Sequence, residues 1–409
     1  MSYVIIGNGV AGVSAAESIR QLDRDGPIVM IGDEAETPYC RPMISLVLEG
    51  AVPAERLPIR SDTFYEQMGI QPVLGHRVDA IDVTRKIVRV GGQTEIPYTK
   101  LLIATGADPR PIKAEGLDLK NIFFMRTQAQ VRAMLEILPD ARRALVLGGG
   151  LVGFKAAYGL LRRGLNVTML IRSGHPLSMQ ADETAGGIIL DELRRKGLNV
   201  NVGTEVVSFE GNGSVREALI SDGSRISCDM VVIGKGVMPA LSFVPRDRIK
   251  VDLGIMIDHH MQTSAEDVYA AGDVAEGVDI ARKTRWVNAI WPEAVSQGRL
   301  AGLNMAGRSV SGKGSLGRNV IRIFDLDILT GGVVTPPDED GYDVYQAFDG
   351  QRHTYRKFVF QGDRLAGVVL VNDIEQGGVF LSLMSSEIPV AGEKERLLSS
   401  RFNVNQLIH

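Results

Sequence analysis

The sequence contains only two cysteines among its 409 residues, Cys40 and Cys228. Two thiolates cannot supply the ligands of an iron–sulfur cluster, and by themselves they do not complete a zinc site. The two residues also form neither a C-x-x-C nor a C-x-x-x-x-C redox pair. Any iron–sulfur chemistry linked to this protein is therefore expected on another chain, and we expect no metal site.

An excess of basic residues and a long uninterrupted apolar run are also missing. The formal net charge is −4 and the pI is near 6.0, so we expect no nucleic-acid partner. The most apolar run, residues 144–161, is interrupted by Lys155 and five glycines, which argues against a membrane span. The chain enters a strand pattern almost at once, leaving no room for a signal peptide. These absences predict a soluble cytoplasmic protein.

A glycine fingerprint stands near the start of the chain. An apolar strand runs into Gly7-Asn8-Gly9-Val10-Ala11-Gly12, then into a helical pattern and a second apolar strand. Gly7 permits a tight turn, Gly9 lets backbone approach a pyrophosphate, and Gly12 lets helix and strand pack closely. The helix N-terminus offers N–H groups to phosphates, and Asp33 or Glu34 would accept a hydrogen bond from a ribose hydroxyl. The combination predicts a dinucleotide site.

The fingerprint occurs a second time. Residues 144–147 form an apolar strand pattern that runs into Gly148-Gly149-Gly150-Leu151-Val152-Gly153. Two such units predict two dinucleotides, with one dinucleotide shared between the units as the less favoured alternative. The strand that completes the second unit ends in Ile171-Arg172, without the acid that favours NAD. Arg172 can meet a 2′-phosphate or be a surface charge, so the choice between NADH and NADPH stays open.

Three further segments have the composition of cofactor contacts. Ala104-Thr105-Gly106 is a small-residue turn after an apolar strand, where backbone can approach a ligand. Asp273 follows a strand and a glycine, which suits a polyol hydroxyl or a helix cap. Arg41 precedes Pro42 in a proline-rich loop, where a phosphate or cofactor contact and a solvated loop charge are equally supported.

Together these segments resemble the two-dinucleotide flavoprotein reductases, a pyridine nucleotide–disulfide oxidoreductase-like family without a redox disulfide. The family includes rubredoxin and ferredoxin reductases, the flavin domain of nitrite reductase, and FAD subunits of multi-component aldehyde or 2-oxoacid oxidoreductases. The match runs from residue 1 to about residue 310. The resemblance implies the cofactors FAD and NAD(H), with NADP(H) not excluded.

The resemblance also implies an α/β fold: two Rossmann-like dinucleotide-binding domains, the second inserted in the first, plus a small C-terminal α+β domain. We expect a discontinuous FAD-binding domain over residues 1–111 and 243–312. The NAD(P)-binding domain is expected over residues 112–242. Residues 318–409 are expected to form a C-terminal interface domain after a Gly- and Ser-rich linker.

The family's cofactor contacts carry over onto matching positions of this sequence. They are Gly7, Gly9, Val10, Ala11, Gly12, Glu34, Arg41, Pro42, Val78, Ala104, Thr105, Gly106, Arg110, Gly148, Gly150, Leu151, Val152, Gly153, Arg172, Gly234, Gly272, Asp273 and Trp291. By resemblance, Glu34 meets the adenosine ribose, Asp273 the ribityl chain, and Trp291 opens a helix directed at the flavin pyrimidine.

One departure from the family concerns a lysine. Many relatives carry lysine after the serine equivalent to Ser45, paired with a glutamate in the second fingerprint helix, whereas this chain has Leu46 and Lys155. In the family this helix position approaches the flavin's reactive nitrogen. Lys155 is the only charge in residues 151–157, which favours burial over a solvent-facing role. We therefore expect Lys155 to be catalytic, by raising the flavin's midpoint potential.

These features predict an FAD-dependent NAD(P)H:acceptor oxidoreductase. Electrons would pass between nicotinamide, FAD and an iron–sulfur or similar redox partner, with the chain as the flavin component of a multi-component system, which is compatible with a hetero-oligomer. The alternatives are a Cys40-dependent thiol peroxidase or disulfide reductase, an NADH oxidase, and a non-enzymatic flavin-bearing subunit. The redox cysteine of related peroxidases falls near Pro42, two residues after Cys40. The acceptor, the direction of electron flow and the oligomeric state stay open.

Overall fold

The computed structural model describes residues 1–337, 341–390, 392 and 394–403. The chain divides into two compact units, each built from separate stretches of sequence. The first unit consists of Met1–Cys40, Leu57–Asp108 and Met238–Gly317. The second consists of Arg41–Arg56, Pro109–Val237 and the described residues from Arg318 onward. The predicted domain boundaries remain a prediction, since this division assigns Arg41–Arg56 to the second unit.

The helices and strands are as follows. The α-helices are α1 (Val10–Leu22), α2 (Ile44–Glu49), α3 (Phe64–Gln67), α4 (Gln128–Ile137), α5 (Leu151–Arg162), α6 (Glu183–Arg195), α7 (Trp291–Met305) and α8 (Gly377–Ser385). The strands are β1 (Tyr3–Ile6), β2 (Ile28–Gly32), β3 (Ile70–Leu74), β4 (Val78–Asp82), β5 (Ile87–Val90), β6 (Thr94–Pro97), β7 (Lys100–Ile103), β8 (Ala107–Pro109), β9 (Ile122–Phe124), β10 (Arg143–Leu147), β11 (Asn166–Ile171), β12 (Asn199–Val202), β13 (Val206–Gly211), β14 (Val215–Ile220), β15 (Arg225–Ser227), β16 (Met230–Ile233), β17 (Val237–Pro239), β18 (Ile255–Met256), β19 (Val268–Ala270), β20 (Ala275–Val278), β21 (Arg285–Trp286), β22 (Arg318–Ile323), β23 (Leu326–Gly332), β24 (Tyr342–Asp349), β25 (Thr354–Gln361) and β26 (Arg364–Val371).

The first unit is built on a parallel sheet of order β19-β7-β1-β2-β3. Its central strands β1 and β2 are continuous apolar runs, as in a sheet covered on both faces, whereas the edge strand β3 carries exposed Gln71 and Pro72. Helices α1 and α7 pack against each other closely. A Cβ added at Gly298 or Gly302 of α7 would lie 2.2 Å from Ala11 O or 2.3 Å from Ala15 O, respectively. Glycine is therefore required wherever the two helix backbones touch.

The prediction for residues 70–103 was wrong for two strands. The pattern of these residues predicts antiparallel strands, and β4, β5 and β6 do form an antiparallel sheet. Strand β7, however, pairs parallel with β1 and β19, and strand β3 pairs parallel with β2, so that Ile70 lies opposite Ile28. By extending the parallel sheet, β3 covers the edge of β2.

The second unit contains another parallel sheet, of order β12-β11-β10-β16-β9. The antiparallel strands β13, β14 and β15 cover part of it. Buried side chains such as Phe209 and Ile220 on this cover pack with Leu145 and Val231 of the parallel sheet. Burial of the apolar strand residues on both sides holds this layer together.

Residues Arg41–Arg56 belong to the second unit through contacts with α5. Arg163, at the C-terminus of α5, donates hydrogen bonds to Leu48 O at 2.7 Å and Val47 O at 3.2 Å. These carbonyls lie at the end of α2, where a cation is favourable. Gly159 leaves room for α2, since its added Cβ would lie 3.3 Å from Glu49 N.

The C-terminal part of the second unit is an antiparallel sheet of order β22-β23-β26-β25-β24, covered by α8. Phe324, at the turn between β22 and β23, packs edge-on against Phe154 and Tyr158 of α5. Lys357 of β25 lies 2.8 Å from Asp182, which caps α6. This sheet is therefore fastened to two helices of residues Pro109–Val237.

The predicted fold class is confirmed: two Rossmann-like parallel sheets and a small C-terminal α+β domain. Strand β10 and helix α5 account for the apolar run at residues 144–161. No helix in the described part of the chain is long and apolar enough to cross a membrane.

Candidate functional site

The first glycine loop has a different environment at each of its three glycines. Gly7 has φ +122°, and a Cβ there would lie 2.1 Å from Ala104 O. A Cβ on Gly12 would lie 2.1 Å from Gly7 O. At Gly9, in contrast, a Cβ would meet no described protein atom within 4 Å. Gly7 and Gly12 are therefore required by the fold, whereas Gly9 leaves an open space at the start of α1.

The N-terminus of α1 is prepared for an anion. Gly9 is its N-cap, so no side chain caps the helix, and no acidic residue lies in the first turn. The first N–H groups of a helix point outward and carry the positive end of its dipole. Val10 and Ala11 begin this helix. The open space beside Gly9 therefore fits a phosphate group.

The other predicted residues of the first unit lie at the carboxyl edge of the same sheet. Strand β7 leads into Ala104, Thr105 and Gly106, and β19 leads into Gly272 and Asp273. Strands β19, β7, β1 and β2 are neighbours in that order, so their carboxyl ends form a continuous edge. Ligands of open α/β sheets bind in the crevice outside this edge.

Asp273 stands next to the starts of two helices. Gly272 has φ +82°, and its added Cβ would lie 3.3 Å from the Cβ of Ala11 in α1 and 3.6 Å from that of Ala294 in α7. Gln297 accepts a hydrogen bond from Gly272 N at 2.9 Å, which ties α7 to this turn. Half-buried Trp291 is the first residue of α7. The turn thus brings one carboxylate close to two helix N-termini.

The acid after β2 is held by aromatic and amide contacts. Glu34 is half-buried and its Oε2 accepts from the hydroxyl of Tyr39 at 2.7 Å, whereas Asp33 is exposed. Asn8 of the glycine loop donates to Glu36 O at 3.1 Å. These bonds fasten the turn that carries Glu34 to the first glycine loop.

The second glycine loop repeats the geometry of the first. Gly148 has φ +109°, and a Cβ added there would lie 2.5 Å from Gly234 O, whereas a Cβ added at Gly153 would lie 2.1 Å from Gly148 O. A Cβ on Gly150 would meet no described atom within 4 Å. Gly150 caps α5, whose first turn includes Leu151 and Val152 and has no acidic residue. This N-terminus is equally suited to a phosphate.

The charged residues at the edge of the second parallel sheet include two that the sequence did not point to. Exposed Arg172 follows β11, as predicted. Lys235, after β16, donates to Glu205 Oε1 at 2.7 Å. Hydrogen bonding from Lys235, with the charge of Arg172 acting in the same sense, holds the pKa of Glu205 below its ordinary value. A cation next to Gly234 was a signal available in the sequence, whereas nothing local singled out Glu205.

Lys155 is half-buried on α5, although its apolar neighbours predicted burial. The neighbouring side chains Phe154 and Ala156 are buried, which leaves the lysine at the rim of the packed face. Helix α5 packs against α2. A long lysine side chain can bury its stem there and keep its ammonium group accessible.

Four further predicted contacts have the following neighbours in the structure. Val78 is buried in β4 opposite Val90. Arg110 is exposed, and its backbone N–H donates to Gly236 O at 3.0 Å. Arg41 donates to Arg126 O at 2.7 Å, and Pro42 beside it is exposed. Their cofactor roles remain predictions.

The thiols and potential metal ligands were also surveyed. Cys228 is buried, and desolvation raises the pKa of its thiol to about 12. Cys40 is half-buried and free of any disulfide. Among the described residues, no group of three or more His, Cys, Asp or Glu side chains could hold a metal ion.

Two family models match this chain. The model described as pyridine nucleotide-disulphide oxidoreductase matches residues 1–298, which is well over half of the chain. The chain belongs to the pyridine nucleotide-disulphide oxidoreductase family. The model described as rubredoxin NAD+ reductase C-terminal domain matches residues 318–388. These matches cover both parallel sheets and the C-terminal antiparallel sheet.

Relatives and a solved structure agree with this membership. The epsilon subunit of NADH-dependent phenylglyoxylate dehydrogenase from Aromatoleum evansii is 29% identical over 99% of this chain and 96% of its own length. The assimilatory nitrate reductase electron transfer subunit of Bacillus subtilis is 28% identical over 97% of this chain, which spans only 50% of that relative. A crystal structure of a covalent putidaredoxin reductase–putidaredoxin complex matches with a TM-score of 0.90 and 26% identity, over 100% of this chain and 98% of that one.

Family membership confirms the predicted class, an NAD(P)H-dependent flavoprotein oxidoreductase that transfers electrons. The family implies FAD and NAD(H) as cofactors. The two open glycine positions, each at an uncapped helix N-terminus, fit the pyrophosphates of two such dinucleotides.

Proposed function

We propose that this member of the family passes electrons between a nicotinamide dinucleotide, FAD and an iron–sulfur or similar redox partner on another chain. The observation that carries the proposal is the repeated loop geometry, with an open glycine at the N-terminus of α1 and again at that of α5. Two dinucleotide sites in a chain with two cysteines and no C-x-x-C pair favour electron transfer over disulfide chemistry.

FAD is assigned to the first unit. The N–H groups of α1 beside Gly9 would bind its pyrophosphate, and Glu34 would accept from the adenosine ribose. Asp273 is assigned to a hydroxyl of the ribityl chain. The N-terminus of α7, which begins at Trp291, would favour negative charge on the isoalloxazine ring. When bound, FAD supplies the exchange between two-electron and one-electron chemistry.

NAD(H) is assigned to the loop Gly148–Gly153 of the second unit. Gly150 leaves the space that its pyrophosphate needs, and α5 directs its N–H groups to that space. Gly234 packs against Gly153, with an added Cβ only 2.5 Å from its Cα, so it keeps the loop close to the sheet. These residues bind and orient the dinucleotide and donate no proton.

The redox partner is expected to be a separate chain. Relatives of this chain include an electron transfer subunit, a dehydrogenase subunit, and a reductase crystallised with its partner protein. With two cysteines this chain cannot bind an iron–sulfur cluster alone. We therefore propose that it serves as the flavin component of a multi-component system.

Anaerobic stopped-flow reduction with NADH and NADPH tests the proposal. We expect the flavin absorbance to bleach rapidly with at least one nucleotide and to recover on addition of an oxidised iron–sulfur protein. Affinity purification from the native host should then recover a chain that carries the cluster. A protein that binds FAD but is not reduced by either nucleotide would contradict the assignment of the second loop.

A further inference from the structure

A cluster of three charged residues lies at the carboxyl edge of the second parallel sheet. We call Arg172, Glu205 and Lys235 the edge cluster. Lys235 directly follows Gly234, whose carbonyl oxygen would lie 2.5 Å from a Cβ added at Gly148. The Nζ of Lys235 is 2.7 Å from Oε1 of Glu205. The cluster therefore reaches the immediate surroundings of the proposed NAD(H) loop.

The backbone also fixes Glu205 close to Arg172. Thr204 donates its N–H to Ile171 O, and Gly203 donates to Ser173 O, both at 3.4 Å. These two bonds join the connection before β13 to the residues on either side of Arg172. The charge of Arg172 also contributes to the low pKa of Glu205. The carboxylate of Glu205 is thus paired with Lys235 and also lies in the field of Arg172.

This arrangement supplies the acid that β11 lacks. In dinucleotide-binding folds, an acid near this strand end accepts a hydrogen bond from the ribose of NAD, whereas an arginine accommodates the 2′-phosphate of NADP. Here the strand itself ends in Arg172, and the acid comes from a connection more than 30 residues later. The Glu205 side chain is 41% exposed, so a ligand can reach it.

The remaining hydrogen-bonding capacity of Glu205 suits a hydroxyl. Its Oε1 is occupied by Lys235, whereas no hydrogen bond to its Oε2 is found within the described ranges of the chain. A carboxylate oxygen is an acceptor only, so it can bind the 2′-hydroxyl of a ribose. A 2′-phosphate at the same place would be repelled by the carboxylate, although Arg172 and Lys235 attract it.

We propose that Glu205 is the specificity-determining residue for the nicotinamide dinucleotide, an assignment that rests on the proposed NAD(H) site. Its carboxylate accepts the ribose 2′-hydroxyl of NADH and offsets one of the two positive charges of Arg172 and Lys235. The arginine at the end of β11 therefore does not make the protein an NADPH enzyme. Removal of this one negative charge exposes two cations to the 2′ position.

The substitution Glu205→Gln in the FAD-loaded protein tests the inference. Calorimetric titration with 5′-AMP and with 2′,5′-ADP, which adds only the 2′-phosphate, measures discrimination without any redox reaction. We expect the ratio of the two affinities to shift at least tenfold toward 2′,5′-ADP, a change of about 1.4 kcal/mol. The ratio of kcat/KM for NADPH over NADH should shift in the same direction.

Three further variants isolate the cause. Glu210→Gln removes a carboxylate that pairs with Arg225 at 2.7 Å on β13, and it should leave both ratios unchanged. In the double variant, Arg172→Ala added to Glu205→Gln should reverse much of the shift in affinity toward 2′,5′-ADP. Lys235→Met keeps Glu205 but removes its ion-pair partner, so discrimination against 2′,5′-ADP should increase, and this variant tests the inference if Glu205→Gln folds poorly.

Two results would overturn the inference in different ways. If wild type, Glu205→Gln and Lys235→Met all show the same ratio of affinities for 2′,5′-ADP and 5′-AMP, Glu205 does not contact the 2′ position. In that case NADH still reduces the flavin and the proposed function stands. If the wild type binds neither nucleotide fragment and NADH does not reduce the flavin, the proposed NAD(H) site itself is wrong.

Discussion

At the scale of single residues, the glycines of each loop divide into two kinds. A Cβ at Gly12 or Gly153 would lie 2.1 Å from a backbone carbonyl oxygen, so a side chain there must displace the main chain. A Cβ at Gly9 or Gly150 meets no described atom within 4 Å. Substitution at the first pair acts on the fold, whereas substitution at the second pair acts on the ligand.

Valine substitutions separate these two effects. We expect Gly9→Val to fold with nearly the Tm of the FAD-free wild type but to lose FAD, because the side chain fills the space proposed for the pyrophosphate. Gly150→Val, the matched control, should keep FAD and lose reduction by NADH. Gly12→Val should lower the free energy of unfolding by about 1–3 kcal/mol or more through overpacking. The ratio of flavin to protein absorbance and thermal denaturation measure these outcomes; full FAD in a folded Gly9→Val protein would refute the loop assignment.

Lys155 is expected to tune the flavin, by the role that the family resemblance implies. If about 1–2 kcal/mol of a charge interaction at ~4 Å survives screening, the two-electron midpoint potential should fall by about 20–45 mV in Lys155→Met. Methionine keeps much of the volume, so packing changes little. Spectroelectrochemical titration at matched FAD content measures the potential. The control Arg162→Met removes an exposed cation from the same helix and should leave the midpoint potential unchanged. A midpoint potential in Lys155→Met equal to that of wild type would mean that the role of the lysine is structural.

How much of the site the sequence reveals depends on how local its geometry is. The roles of Gly7 and Gly12 follow from neighbours within a few residues, so glycine spacing predicts them. Glu205 reaches Arg172 only because two sheets bring distant segments together, and no spacing encodes that. The partial exposure of Lys155 depends in the same way on which neighbours pack beside α5, so the apolar pattern of residues 151–157 indicates burial but not its extent.

At the scale of elements, helix α6 shows how tertiary contacts move a boundary. The sequence pattern alone predicts a helix over residues 188–196. The helix begins instead at Glu183, capped by Asp182, whose Oδ1 accepts from Ala185 N at 3.1 Å. A Cβ on Gly186 would lie 2.1 Å from the His175 ring, so glycine is kept here for packing.

The cap of α6 should also be a main support of the C-terminal sheet. Asp182 Oδ2 accepts from Lys357 at 2.8 Å and from the Tyr355 hydroxyl at 2.6 Å. We expect Asp182→Ala to lower the free energy of unfolding by about 2–4 kcal/mol, because it removes a cap and leaves a buried ammonium group unpaired. Chemical denaturation measures this, and Glu183→Ala, at the exposed neighbour, should cost far less. Equal losses in the two variants would contradict the role of the cap.

The same carboxylate gives stability a pH dependence. Burial raises the pKa of Asp182, but hydrogen bonds from Lys357 and Tyr355 outweigh it and hold the pKa below its ordinary value. A lowered folded-state pKa means stabilisation at pH values above the ordinary carboxyl range and loss of it as the pH falls through the folded-state pKa. The stability gap between wild type and Asp182→Asn should therefore narrow on acidification, in the same denaturation assay.

At the scale of the whole molecule, neither of the two cysteines is well placed for thiol-based redox catalysis. Cys228 is buried with a raised pKa, and Cys40 has no second cysteine near it in sequence. We expect Cys40→Ser to keep full NADH-driven activity with an iron–sulfur or dye acceptor, and we expect oxygen to be reduced slowly by comparison. Steady-state assays with each acceptor check this. Loss of activity in Cys40→Ser would favour a thiol peroxidase, and fast oxygen turnover would favour an oxidase.

The presence of two parallel sheets was predictable because each unit carries its own strand–loop–helix pattern. The grouping of Arg41–Arg56 with α5 was not, because it depends on Arg163 reaching the end of α2 across more than 100 residues of sequence. Long-range hydrogen bonds of this kind leave no periodic trace in the sequence.

The turn at Phe324 has a consequence for exchanging parts between related reductases. Its ring lies against Phe154 and Tyr158, and Asp325 beside it pairs with Arg195 at 3.1 Å. A chimera joined at residue 317 would bring a foreign turn onto these surfaces and leave two aromatic rings without their partner. A chimera between relatives should therefore take α5, α6 and the C-terminal sheet from the same parent, so that the surfaces in contact remain matched.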